Sequence, residues 1–309
     1  MKKSGVHLAL LAFFGVYSLM AQSNAPFVMV LGIAQDAGFP QANCQKPCCE
    51  KVWSGEMPGA KVSCIGLIDP IDSSFWLFDA TPDFPEQLQM LLPYGQLNGI
   101  FLTHAHIGHY TGLMYLGREV IGADELPVYA MPRMHHFLQE NGPWSQLLTL
   151  NNIALKELVA NEPVFLNERL SVKPLIVPHR DEFSETVGFI LSSQDASLLF
   201  IPDIDKWQVW DKDIKALVQE VDFALLDGTF FQNGEIPGRD MSEIPHPFIA
   251  ESMQLLDDLP QAEKQKVHFI HFNHTNPVLQ PDSEARQLVK SRGFHLTEEG
   301  MQLPLSHKK

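Results

Sequence analysis

Basic residues are in short supply here. The chain sets 22 lysines and arginines against 37 aspartates and glutamates, a net charge of −15 with histidine neutral. A surface of that sign repels phosphate backbones and anionic headgroups, which excludes nucleic acid as a partner and electrostatic docking to a membrane. The carboxylate surplus favours solubility instead. Long apolar runs are also scarce. The one that qualifies, Val6 to Met20, follows Lys2 and Lys3 and precedes small residues around Ala21 and Ser23. That order predicts a signal peptide over residues 1–21, cut after Ala21, and an exported, periplasmic protein. Interrupted by His7, the run falls short of the roughly 20 apolar residues a spanning helix needs, so no stable membrane insertion is expected after its removal.

Linkers, low-complexity tracts and blocks of like charge are missing too, so residues 22–309 are expected to form a single domain around one core. No internal repeat is visible, although a duplicated architecture can outlive its sequence symmetry. Cysteine is confined to Cys44, Cys48, Cys49 and Cys64, three of them in the run NCQKPCC. In an oxidising compartment these can form up to two disulfides or stay free. Alternatively the four thiolates can hold a structural zinc ion, although C-x3-C-C with one distant cysteine is not a usual ribbon spacing. No thiol stands isolated beside an obvious base, which argues against a cysteine nucleophile.

What the chain does have is FLTHAHIGHY, residues 101–110, with His104, His106 and His109 after an apolar run. The run predicts a strand ending at Thr103 that projects the histidines from its carboxyl end. Imidazole is the commonest neutral metal ligand, and two histidines one residue apart in an extended turn can converge on one ion.

Periodicity predicts strands at 27–33, 63–68, 75–79, 98–102, 127–131, 170–177, 186–192, 198–201, 223–226 and 267–270. It predicts helices at 85–92, 111–122, 133–140, 143–148, 206–219, 246–256 and 282–292. Mixed strands followed by helices indicate two sheets face to face with helices outside. Candidate ligands recur where strands end: His179 after PLIVP, Asp203 after LLFIP and His271 after VHFI. Rigid strand ends are where loops commonly present functional groups. A lone histidine or aspartate so placed is usually structural; four such placements point to one site.

Other residues keep two readings each. Asp181, Glu182 and Glu185 orient a metal-binding histidine, contact a polar substrate, or form a solvated acidic loop. His246 lines the cleft or caps a helix, and Asp227 supports the metal shell or satisfies local backbone donors. His135, His136, His268 and His295 read as surface or satisfied core residues.

This arrangement resembles the metallo-β-lactamase superfamily, over nearly the whole chain beyond residue 21. There a strand ends in H-x-H-x-D-H, followed by a lone histidine, a bridging aspartate and a final histidine. The matching positions are His104, His106, Gly108, His109, His179, Asp203 and His271, and WLFDATPD with Asp79 resembles the early strand ending in a buried aspartate. VLGIAQDAGFPQANC, TGLMYLGRE, LLDGTFF and FIHFNHTNP are similar to segments of the pyrroloquinoline quinone biosynthesis protein B group. The resemblance implies an α+β, αββα sandwich of two mixed sheets binding one or two zinc ions, with iron as the alternative.

His104, His106 and His179 would hold one ion and leave a position for water, whose pKa a Lewis acid lowers toward neutrality. Asp203 would bridge to a second ion or hold the attacking water, with His109 and His271 completing that second site. Asp203 and His271 are therefore also the catalytic candidates. Gly108 supplies no ligand where the motif has aspartate, and His274, three residues past His271, is the candidate to compensate or to replace His271. The activity implied is hydrolysis of a small-molecule ester, lactone, amide or phosphoester by metal-bound hydroxide. The alternatives are an iron-dependent, oxygen-using hydroxylase acting in pyrroloquinoline quinone biosynthesis, and a non-catalytic metal-binding carrier.

Overall fold

The computed structural model describes residues 24–306, so the expected signal segment lies outside the described residues. Its strands in chain order are β1 (Phe27–Gly32), β2 (Cys64–Asp69), β3 (Ser74–Phe78), β4 (Gln96–Phe101), β5 (Leu126–Ala130) and β6 (Ile153–Glu157). Then come β7 (Val164–Phe165), β8 (Ser171–Ile176), β9 (Val187–Ser192), β10 (Ser197–Ile201), β11 (Phe223–Asp227), β12 (Val267–Ile270), β13 (His295–Leu296) and β14 (Gln302–Pro304). They form two seven-stranded sheets, ordered β14-β1-β2-β3-β4-β5-β6 and β13-β12-β11-β10-β9-β8-β7. Both follow one plan, four strands antiparallel (β14-β1-β2-β3 and β7-β8-β9-β10) followed by three parallel pairings. The duplication is thus architectural, although the sequence shows no repeat.

β1, β2 and β3 are buried along their whole length. A strand buried on both faces reads as a continuous apolar run, and such a strand must be covered on both sides. Phe78, Phe101, Phe189 and Phe200 meet between the sheets, with ring centroids 5.0 to 6.4 Å apart. The outer face of the first sheet packs on the helices Phe84–Leu91 and Pro132–Glu140, that of the second on Ile214–Glu220, Ile249–Leu255 and Glu284–Ser291. This is the αββα sandwich.

Two helices are shorter than expected. The turn after β4 continues as a helix only over Ile107–Tyr110 and a 3-10 segment over Thr111–Leu116, not to Gly122. Gly112 packs against Thr81 and Phe84 there, and the chain turns away at Gly117. The expected helix from Lys206 begins only at Ile214, because Asp213 caps it and Trp207 and Trp210 are turned into the core beforehand. β6, β7, β13 and β14 are the edge strands, and periodicity does not reveal them. They are short or half exposed and carry weak apolar patterning.

Candidate metal centre

β3 and β4 run parallel, so the segments that succeed them emerge at the same end of the first sheet. Asp79 comes directly after β3 in the left-handed region, φ 73°, and is fully buried. Its carboxylate accepts from the Thr103 amide at 2.8 Å and the Thr103 hydroxyl at 3.0 Å, and lies 2.7 Å from His109 Nδ1. The opposite sheet repeats the device: Asp227 ends β11 and accepts from the Thr229 amide at 2.8 Å and hydroxyl at 2.7 Å, and that hydroxyl lies 2.9 Å from His271 Nδ1. His271 is also left-handed, φ 68°. For a non-glycine residue such a backbone costs on the order of 1 kcal/mol and is held by its surroundings. Here the flanking amides of Phe272 and Asn273 donate to the Ile33 and Thr229 carbonyls at 2.7 and 2.9 Å.

With each Nδ1 engaged, the Nε2 atoms of His109 and His271 face Asp203, at 3.3 and 3.4 Å. His104 Nε2 and His179 Nε2 also lie 3.4 Å from Asp203, on its two oxygens. Asp205 fixes His179, its carboxylate 3.0 Å from Nδ1, and the Ser184 hydroxyl oxygen accepts from the Ala105 amide at 2.8 Å, pinning the turn between His104 and His106. Two groups of donors result, each with its ligand atoms within 4.8 Å of one another: His104, His106, His179 and Asp203, then Asp36, His109, Asp203 and His271. Asp203 belongs to both.

The electrostatics fit a cation. Burial alone would raise the Asp203 carboxyl, but His271 and His179 hold it well below the usual carboxylate range. Burial, then His109, push His104 well below the ordinary histidine value. The Nε2 atoms of His109, His179 and His271 and the Oδ1 atoms of Asp36 and Asp203 are buried without a hydrogen-bond partner. Buried polar atoms are rarely left so, and five aimed at one region ask for an ion. The residues therefore fit a metal.

The structure brings together His104, His106, His109, His179, Asp203 and His271. His274 stands outside both groups, with Nδ1 3.2 Å from Asn273 Oδ1. The left-handed turn at His271 re-aims the chain, so the second histidine of HFNH leaves the site.

One contributor, Asp36, escapes a reading of the sequence alone, and the structure decides between the two readings of His246. Asp36 lies just beyond β1 as the other ligands lie just beyond their strands, and that placement is the available signal. His246 caps no helix, since Phe248 is the cap of Ile249–Leu255; its Nδ1 instead lies 2.8 Å from Asp227 and 3.2 Å from Asp203. Burial opposes its protonation, but Asp227 and Asp203 raise its pKa to about 9.

Of the acidic loop, Glu182 lies 3.4 Å from His106 Nε2, while Asp181 and Glu185 hold Arg133. Beside them is a cavity of about 460 Å³ lined by Pro132, Arg133, His136, Phe137, Glu182 and Phe183, where His136 is the exposed surface residue expected.

All four cysteines are free. Cys44, Cys48 and Cys49 cluster, with 3.8 Å between the Sγ atoms of Cys44 and Cys48. Cys64 does not join them, contrary to the four-cysteine zinc reading. It lies in β2 with its thiol 3.5 Å from the Asp79 carbonyl, in the core beneath the first sheet.

Comparison with known proteins agrees with this fold. A family model described as "Beta-lactamase superfamily domain" matches residues 76–272. Coenzyme PQQ synthesis protein B of Methylobacillus flagellatus is 26% identical over 90% of this chain and 99% of its own length, and that of Pseudomonas putida 29% identical over 90% and 100%. The crystal structure of Zn(2+)-bound PqqB from Methylobacterium extorquens matches with a TM-score of 0.76 at 24% identity, covering 90% of this chain and all of that one. A diphosphatase from the PhnP family matches with a TM-score of 0.63 at 20% identity, covering 90% and 96%.

Proposed function

The chain belongs to the beta-lactamase superfamily, and on that footing we propose that it is an exported, PqqB-like metal-dependent hydrolase acting on a small molecule. One observation carries the reading: Asp203 is shared by two histidine groups, and Nε2 of His109, His179 and His271 is buried there without a hydrogen-bond partner. When bound, an ion there acts as a Lewis acid and lowers the pKa of water toward neutrality.

The chain's own residues do the rest. His104, His106 and His179 would hold one zinc ion, and His109, His271 and Asp36 a second, with Asp203 between them. Thr103 with Asp79, and Thr229 with Asp227, lock the ring orientations through Nδ1 and leave Nε2 free to bind. His246 holds the Asp203 carboxylate from the protein side. The cavity beside Glu182 would seat the substrate: Phe137 and Phe183, 5.4 Å apart, offer apolar faces, and Arg133 and Glu182 polar ones. The acidic net charge disfavours nucleic acid. Export rests on the order of residues 2–23; no helix among the described residues is long and apolar enough to cross a membrane.

A second reading draws on the relatives named as PQQ synthesis proteins: an iron-dependent, oxygen-using hydroxylase in PQQ biosynthesis. Imidazole and carboxylate suit iron as well as zinc. Metal analysis of protein purified without chelator separates the two. Zinc, with ester, lactone or phosphoester cleavage and no oxygen uptake, supports the hydrolase; iron with oxygen uptake replaces it. A preparation that takes up no divalent metal overturns both.

A further inference from the structure

The family motif places an aspartate where this chain has Gly108, which would leave the second metal position one carboxylate short. The space is not vacant. A Cβ built on Gly108 would fall inside contact distance of the Asp36 Cα and Oδ1, and 3.0 Å from its Cβ. Asp36 thus stands where a side chain at position 108 would go. Its Oδ1 is buried, unpartnered, and 3.1 Å from His109 Nε2. It shares the second donor group with His109, Asp203 and His271.

We infer that the second-site carboxylate of this protein has been transposed from the histidine turn to the loop after β1, so that Asp36 is a metal ligand and Gly108 is the glycine that makes room for it. The inference rests on the metal-centre reading above.

Three features of the loop make the transposition physical. Gln35 donates its amide to the Phe272 carbonyl at 2.9 Å, and Ala34 bridges to both Val62 and Phe272, so the segment is anchored beside His271. Gly38, at φ 72°, closes a turn with its amide on the Gln35 carbonyl at 2.8 Å, folding the chain back immediately after Asp36. Gln35 Nε2 donates to Asp36 Oδ2 at 3.0 Å, which leaves Oδ1 for the ion. A carboxylate on each of residues 36 and 108 would demand the same volume. Aspartate at 108 alone therefore does not repair a defect; it collides with the repair already present.

The test is titration of the chelator-stripped full chain with cobalt(II). Thiolate charge-transfer absorption reports any binding at Cys44, Cys48 and Cys49 separately from the bands of histidine and carboxylate sites. Asp36→Asn keeps the shape and should weaken the second equivalent at least about tenfold, leaving the first unchanged. Gly108→Asp should weaken the second equivalent as well. Combining Asp36→Gly with Gly108→Asp should bring it back to within about tenfold of wild type. Should Gly108→Asp fail to fold by circular dichroism, Asp36→Asn still decides. Wild-type affinity for the second equivalent in Asp36→Asn, or a folded double variant lacking that equivalent, overturns the transposition. Wild-type protein binding no ion outside the thiolates overturns the metal-centre reading itself, a result distinct from either.

Discussion

The two donor groups share Asp203 but are supported differently. The first draws its histidines from the turns after β4 and β8, and its support runs from the core to the surface: His104 Nδ1 lies 2.9 Å from the Thr103 hydroxyl, while His106 Nε2 meets the half-exposed Glu182. The second draws on the loops after β1, β4, β10 and β12, and each of its histidines is braced through a buried aspartate and threonine pair, one per sheet. Matching braces at the ends of β3–β4 and β11–β12 show what the repeated sheet plan does for function: it delivers the same support twice, facing inward. Each group has one partly open member, His106 in the first and Asp36 in the second, and the other members are buried.

Breaking the shared element should have the largest effect. Asp203→Asn is expected to weaken both equivalents more than about a hundredfold, since even supporting residues cost roughly 10- to 100-fold; metal counting after dialysis checks it. Next, His106→Ala should remove the first ion and spare the second, while His295→Gln changes neither. Equal loss of both equivalents would show that the groups do not bind independently. Asp227→Asn, which acts through Thr229, His246 and the Ile204 amide, should cost the second equivalent about 10-fold to 100-fold, with Asp79→Asn behaving alike if the two braces are equivalent. Titration of both variants compares the sheets directly.

The smallest effect lies away from the centre. Burial lowers His268 from 6.5 to about 4. Its folded pKa is depressed, so its contribution is complete above pH 6.5 and is lost as pH falls toward 4 and below. That loss is on the order of 3 kcal/mol. Urea unfolding of wild type and His268→Gln at pH 7 and pH 4 should show a smaller pH decrement in the variant.

How much is legible depends on how each residue is encoded. His104, His106, His109, His179, Asp203 and His271 each come after a strongly apolar strand, so pattern and placement point to them together. Asp36 obeys the same placement, but a single aspartate in a glycine-containing turn has no spacing partner, and Gly108 reads as a missing ligand. His246 lacks a strand before it; only the packing of its loop onto Asp227 gives it a place. Cys64 misleads the other way, because a shared residue type does not bring two thiols together in space, and His274, though only three residues past His271, lies outside both groups. The helix expected through Gly122 fails for a related reason: apolar periodicity persists there, while packing of Gly112 on Thr81 and Phe84 ends the regular turn.

By itself the sequence determined the two-sheet sandwich, its strand-end histidines and aspartate and the acidic character, because burial of alternating or continuous apolar runs is written locally. Only the tertiary structure decided which carboxylate completes the second group, which histidine after β12 faces inward and which cysteines meet. Those choices depend on where one loop's backbone leaves room for another's side chain, and such excluded volume is a property of the packed chain rather than of any segment.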